Sequence, residues 1–346
     1  MKKYLFAIAI FISSLTFGQD VHFSQLQETP LWLNPANAGF MNGYFRAIAN
    51  YRNQWATMGN AYQTMAVSVD ASTLKTRTIL AFMVIGLFVF NDKAGVSKMG
   101  ATQAQLHLNA IIKAGDKSKI GGGIYFGLNQ HSANYAALTY GNQFDGKIID
   151  NTLASGEAVV YDSYINTDVG VGVNYEFSNA TIDMLRDDIF SFKIGGAVHH
   201  INKPVQKFGS GSSYQLPMRF VGNIQGRIDI KEAKISVLPS VVFLQQGNAS
   251  QVTFGSYIRC RFKNPTKLTG VKSETGLNIG LFYRVNDAII PQLNLDLGKF
   301  AIGVAYDLNV SKYRQVTNLQ GGYEIFLKFI SLDDALFKRK REHGLN

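Results

Sequence analysis

One pattern constrains this chain more than any other: stretches of about ten residues in which apolar and polar side chains alternate, repeated from residue 43 almost to the C-terminus. In the stretch 104–113, Ala104, Leu106, Leu108, Ala110 and Ile112 share one face. Gln105, His107, Asn109 and Lys113 share the other, with Ile111 the single lapse. A period of two means extended strand, because successive side chains point to opposite sides. About fourteen such stretches follow one another, near 43–56, 62–70, 79–90, 99–113, 119–129, 162–177, 189–201, 217–230, 234–245, 251–263, 273–286, 289–297, 299–310 and 320–330. That many alternating strands behind an export signal predict an all-β transmembrane antiparallel barrel.

Residues 1–18 read as a signal peptide. Lys2 and Lys3 form the charged start, 4–15 the apolar middle, and Thr16 and Gly18 the small residues before a cut. No cysteine follows the expected cut between Gly18 and Gln19, which excludes a lipoprotein; Cys260 is the chain's one cysteine. It shares a face with Ile258 and Phe262 and reads as an inert apolar position. The longest apolar run after the signal, 79–90, is too short for a spanning helix and suits a tilted strand.

Composition fits the same class. Charged residues are only 17%, while Gly (33), Phe (24) and Tyr (16) abound, as expected for lipid-facing apolar positions, aromatic girdles and strand bends. Of the formal charge of +10, two lysines leave with the signal and four charges lie in Lys338, Arg339, Lys340 and Arg341, leaving +4 for the body. An exported barrel does not meet nucleic acid. The tail suits anionic headgroups or a periplasmic partner, or is simply solvated.

An even strand count returns both termini to the periplasm, and puts the long connections 130–161 and 202–216 outside with most short turns inside. The segment 178–188 is the exception, a periplasmic link long enough for a short helix. Charges within strands, such as Arg227, Asp229, Arg259 and Arg284, would cost about 2–4 kcal/mol per Arg near the midplane if they met lipid, so they are expected in the lumen. The domain reading is therefore signal 1–18, segment 19–42, barrel 43–330 and periplasmic basic tail 331–346. Segment 19–42, with Pro30, Asn34 and Pro35, lacks alternation and is expected either to cross the periplasmic mouth or to plug the lumen. Arg52 and Gln54 share one face, expected luminal. Trp55 on the other suits the interfacial belt.

No zinc spacing, phosphate loop or nucleophile elbow is present, so no enzyme, metal or cofactor is expected. His199 and His200 are adjacent on a strand and would point to opposite faces, which opposes chelation. A position at the outer rim is expected for them. Asn91, Asp92, Lys93, Ala94 and Gly95 read as an outer turn lacking the acidic ligands of a calcium site.

Several motifs resemble the PorP/SprF family of Bacteroidota outer-membrane proteins. These are 19–25 (QDVHFSQ), 33–39 (LNPANAG), 50–55 (NYRNQW), 91–95 (NDKAG), 198–204 (VHHINKP), 216–219 (LPMR), 238–240 (LPS), 305–308 (AYDL) and 322–327 (GYEIFL). Val21 departs from a common proline, Asn37 from a common aromatic, and the basic tail is less typical. The resemblance implies a fatty-acid-transporter-like barrel in the type IX secretion system. It implies partners: translocon components, and secreted proteins with a type B C-terminal sorting domain, which are held at the cell surface. In gliding bacteria these include large mobile adhesins. On this reading Asn91, Asp92, His199, His200, Asn202 and Lys203 are the rim candidates for the partner. Asn34, Pro35, Arg52, Gln54, Arg227, Arg259 and Arg284 are the luminal or plug candidates. The alternative is an outer-membrane channel for small hydrophobic molecules.

Overall fold

The computed structural model describes residues 20–55, 62–72, 81–134, 138–150, 152–156, 163–179, 189–208, 212–263, 275–311 and 317–331. The expected signal peptide, most of the link 178–188 and all but the first residue of the expected tail 331–346 lie outside them. Among the described residues sixteen strands are present: β1 (Phe45–Gln54), β2 (Tyr62–Ser72), β3 (Ala81–Ala94), β4 (Met99–Lys113), β5 (Ser118–Ser132), β6 (Tyr164–Ser178), β7 (Phe190–His199), β8 (Val205–Phe208), β9 (Ser212–Gln215), β10 (Arg219–Asp229), β11 (Ile235–Gln246), β12 (Ala249–Lys263), β13 (Thr275–Arg284), β14 (Ala288–Leu297), β15 (Phe300–Asn309) and β16 (Gln320–Ser331). Fourteen of them close into one antiparallel barrel, β1 pairing with both β2 and β16. These are the fourteen strands expected from the alternation. The additional pair, β8 and β9, is a separate hairpin inside the long connection between β7 and β10.

The burial pattern is inverted relative to a soluble protein. On β4, Gln103, Gln105, His107 and Asn109 are buried, whereas Leu106 and Ile112 are exposed. The same holds for Asn129 against Phe126 and Leu128 on β5, and for Asp168 against Val171 and Val173 on β6. Apolar side chains outside and polar ones inside a closed sheet are what a bilayer selects, because closure leaves no backbone group unpaired in hydrocarbon. No helix among the described residues is long and apolar enough to cross a membrane; the strands do the crossing. Leu106→Arg should therefore cost about 2–4 kcal/mol in vesicle-reconstituted unfolding. The same change at the neighbouring inward Gln105 would meet the lumen instead, so equal effects at both sites would contradict this orientation.

Aromatic side chains gather near one end of the wall. Phe300 and Phe329 lie 5.0 Å apart, with Phe45 beside them, and Phe177 and Phe192 stack at 5.6 Å. The lapse at Ile111 has a physical reason. Its side chain is buried inward with Val84, Phe82 and Leu31 in an apolar cluster inside the barrel. The two ends of the barrel differ. One carries the start of β1 and the end of β16 (the terminus end). The other carries the connections β5–β6 and β7–β10 (the loop end).

Candidate functional site

Residues 20–42 lack the period of a strand because they form none. Short turns at Leu26–Glu28, Pro30–Leu33 and Pro35–Asn37 carry the segment between inward-facing side chains of the wall. Phe23, Leu31, Trp32, Leu33, Asn34, Ala36 and Asn37 are buried there. The segment, here called the arm, begins at the loop end. The Asp20 amide donates to Gln246 (3.0 Å), and the Asp20 carboxylate accepts from Arg219 (2.8 Å) and His200 (2.6 Å). Arg52 donates to the His22 carbonyl. The amides of Ser24 and Gln25 donate to Glu324 at 2.6 and 3.3 Å, and the Ser24 hydroxyl donates to Asp307 at 2.5 Å. Glu28 meets Lys328 at 2.8 Å, nearer the terminus end.

The chain then doubles back. Pro30 starts a helical turn, where its missing N–H costs nothing. That turn sets Trp32 under Arg219, the guanidinium 4.3 Å from the ring centre. It also brings the Leu33 carbonyl to His199 Nε2 at 3.2 Å. Asn34 caps the next turn by accepting from the Ala36 amide (2.8 Å) and donates to the carbonyls of Val173 and Gly196. Asn109 donates to the carbonyls of Ala36 and Ala38 at 3.0 and 2.6 Å, and the Gly39 amide donates to Asp70 at 2.7 Å.

Glycines in the inward register make room for this path. A Cβ on Gly123 would lie 2.7 Å from the Ala36 nitrogen, and one on Gly121 would lie 2.5 Å from the Phe40 ring. A Cβ on Gly172 would overlap Asn34. A side chain at any of these positions would occupy the space the arm uses.

Arginines inside the barrel pair with carboxylates. Arg52 and Arg284 share Asp307 (2.9 and 2.7 Å), and Arg46 pairs with Asp70 (2.8 Å). Arg227 and Arg261 share Asp229, and Arg259 pairs with Asp296 at 3.1 Å. Asp168 accepts from Gln103 and Tyr125 and faces His200 Nδ1, each at 2.9 Å. Above the arm, at the loop end, lies a recess of about 380 Å³ whose lining includes Trp32, Trp55, Tyr62, Tyr164, Arg52 and Arg219.

The sequence-derived candidates distribute as follows. Asn34, Pro35, Arg52, Arg227, Arg259 and Arg284 lie inside the barrel, and Gln54 and Asp92 line the recess. Asp92 accepts from Thr64 at 2.6 Å; Asn91, on the other face of β3, donates to Thr102. Both belong to β3 rather than to a turn. Asn202 donates to the Thr167 carbonyl (2.7 Å) and accepts from the Val169 amide (3.2 Å), so its amide completes the β6 edge. Lys203 is exposed in the same turn.

Two further expectations are corrected. His199 and His200 are not rim residues: both are buried in the lumen, because the strand ends at His199 and a positive φ of 58° at His200 turns the second ring inward as well. Trp55 also leaves the strand geometry with φ 58°, and faces the recess rather than the lipid interface. Asp20, Arg219, Asp307 and Glu324 stood in the motifs of the family resemblance, and Asp168 on the polar face of its strand, but none of the five was singled out as a site residue. Asp20, Arg219, Asp307 and Glu324 owe their importance to partners more than a hundred residues away, and Asp168 to Gln103, Tyr125 and His200 on other strands and turns.

The electrostatics of the arm's first residues follow from these contacts. Burial alone would raise the Asp20 carboxyl, but His200 and Arg219 outweigh it and hold Asp20 well below the usual carboxylate range. Burial, with Arg52 and Arg284 nearby, pushes His22 down to about 3, so it is neutral. Burial opposes charge on His200 too, yet Asp20 and Asp168 carry it up to about 9. Its folded value lies above its unfolded one. The stabilisation is therefore complete below about pH 6.5 and is lost as pH rises through about 9. The urea midpoint of the detergent-solubilised protein should fall between pH 7 and 10, and Asp20→Asn should flatten that fall. An unchanged slope in the variant would contradict the assignment.

Comparison with known proteins follows from this geometry. The family profile described as type IX secretion system membrane protein PorP/SprF matches residues 15–329. The chain belongs to the PorP/SprF family. It is thus a β-barrel membrane protein of a secretion system, and the motifs that resembled the family run through the match. A search of curated proteins finds no match. Among solved structures, the translocator domain of autotransporter NalP from Neisseria meningitidis aligns with a TM-score of 0.45 and 9% identity, over 88% of this chain and 94% of that one. BamA from Haemophilus ducreyi lacking POTRA domains 1–3 gives 0.42 and 8%, over 83% and 70%. A TodX monoaromatic hydrocarbon channel mutant gives 0.41 and 10%, over 87% and 92%.

Proposed function

We propose that this PorP/SprF protein anchors secreted proteins at the cell surface, its loop end facing outward and gripping a C-terminal sorting domain delivered by the secretion machinery. Both chain termini of the barrel would then face the periplasm, where the basic tail can meet lipid headgroups or translocon components. The observation that carries this reading is the arm. It runs from the recess at the loop end to the first strand at the terminus end, hydrogen-bonded to the wall along the way. A lumen so filled favours a docking scaffold over a conduit, and wide loops on a rigid scaffold are where binding usually sits. No catalytic role is assigned to any residue.

The test is copurification. Extracted in mild detergent, the protein should carry a large secreted chain bound by its C-terminal region, and deletion of the protein should strip that chain from the cell surface. A lone barrel holding a small hydrophobic molecule, with surface proteins unchanged by deletion, would favour the channel reading and overturn this one.

A further inference from the structure

Beside Asp20, where a smaller space adjoins the recess, the wall holds more donors than the arm uses. Arg219 spends one Nη on Asp20 and the other on the Trp32 carbonyl, and among the described residues its buried Nε–H has no partner. Gln246 accepts the Asp20 amide through Oε1, and its buried Nε2 likewise has none. Both residues are more than nine-tenths buried. Both border the same space of about 20 Å³ beside Asp20, room for one small oxygen-bearing group. Buried N–H groups without acceptors are costly and rare, so two of them bordering one space, next to a carboxylate already held by Arg219 and His200, describe an anion receptor.

The geometry points to a carboxylate receptor formed by Arg219, His200 and Gln246. The chain's own Asp20 occupies it at rest, and the C-terminal carboxylate of a docked polypeptide takes it over. This inference rests on the docking reading above and names the chemistry of that site. Asp20 is suited to be a placeholder: its side chain is 21% exposed, whereas His200 and Arg219 are 5% exposed and fixed from behind, His200 by Asp168 and Arg219 by Trp32. A terminus fits better than an internal acid. A recess of about 380 Å³ admits one extended chain, while an internal acid would have to bring two lengths of chain through it. Gln54, Gln103 and Asn129 border that recess, and the Asn129 Oδ1 is buried without a partner among the described residues. Such amides match the donors and acceptors of an extended backbone.

The experiment uses the full-length protein in detergent, with folding checked by heat-dependent gel mobility. The probes are acetyl-triglycine with a free C-terminus, its amidated form, and amidated acetyl-glycyl-aspartyl-glycine, titrated by calorimetry. Asp20→Asn, which removes the resident charge, should bind the free acid about tenfold more tightly than the unsubstituted protein does, and neither amidated peptide should gain. Adding Arg219→Gln should abolish the gain. As a second measurement with Asp20 in place, Gln246→Met in the unsubstituted chain should weaken the free acid and leave the amides unchanged. Equal gains for the amidated aspartyl peptide, no gain for the free acid, or indifference to Gln246→Met would overturn the receptor. Acid binding without any copurifying secreted chain would support the receptor while the anchoring reading fails. A secreted chain that still copurifies after a residue is added beyond its natural C-terminus would overturn the receptor and leave anchoring intact.

Discussion

Asp307→Asn should destabilise the barrel by about 3–5 kcal/mol, the range for breaking a buried ion pair and leaving its partner charged. Asp307 joins two buried guanidiniums, Arg52 from β1 and Arg284 from β13, across the inside of the barrel. It also accepts from Ser24 of the arm. Arg284 keeps a second carboxylate, the half-exposed Asp287 at 2.5 Å, so the uncompensated charge falls mainly on Arg52. Arg52 in turn holds the His22 carbonyl, so the loss reaches the arm as well as the wall. The measurement is the urea midpoint of the detergent-solubilised protein. Arg52→Gln added to Asp307→Asn should recover part of the loss, because it removes the stranded charge. No shift in the single variant, or a further loss in the double, would contradict the account of this network.

The second large effect is expected at the inward glycines. Gly123→Val places a branched side chain where backbone atoms of Pro35 and Ala36 already lie within 2.7–2.8 Å of a single added carbon. Backbone held by several hydrogen bonds cannot yield cheaply, so the arm must leave its groove or the strand must bend, at about 1–3 kcal/mol or more. If the arm leaves, bulky antibiotics should cross the outer membrane faster in cells carrying the variant. Gly122 supplies the control. It faces outward with nothing within 4 Å of an added Cβ, so Gly122→Val should leave permeability unchanged. Equal permeability in both variants would show that the arm does not close the lumen, or that Gly123 does not seat it.

These two substitutions mark where the sequence was legible and where it was not. The barrel could be read because lipid imposes a local rule: most wall strands alternate apolar and polar within their own residues, β3 being apolar on both faces because Phe82, Val84, Phe88 and Phe90 pack inward. The one lapse on β4, Ile111, was also local, but its reason was not. It packs against an arm some seventy residues earlier in the chain. The same holds for Gly121, Gly123 and Gly172. Their inward register could have signalled a chain pressed against the wall, yet nothing in the alternation said which chain. His200 and Trp55 were misplaced for another reason. Period-two reasoning assumes extended backbone, and a single residue at positive φ reverses the side to which the chain points. The hairpin β8–β9 lies within a connection, four residues to a strand, too short for alternation to separate it from loop.

The central claim is that a closed barrel carries its own N-terminal arm as a stopper. Single-channel recording in planar bilayers tests it most directly. The purified unsubstituted protein should insert without opening a steady conductance, and the protein lacking residues 20–42, confirmed as folded by gel mobility, should conduct in uniform steps. Uniform conductance from the unsubstituted protein, or a folded deletion variant that remains closed, would contradict the account.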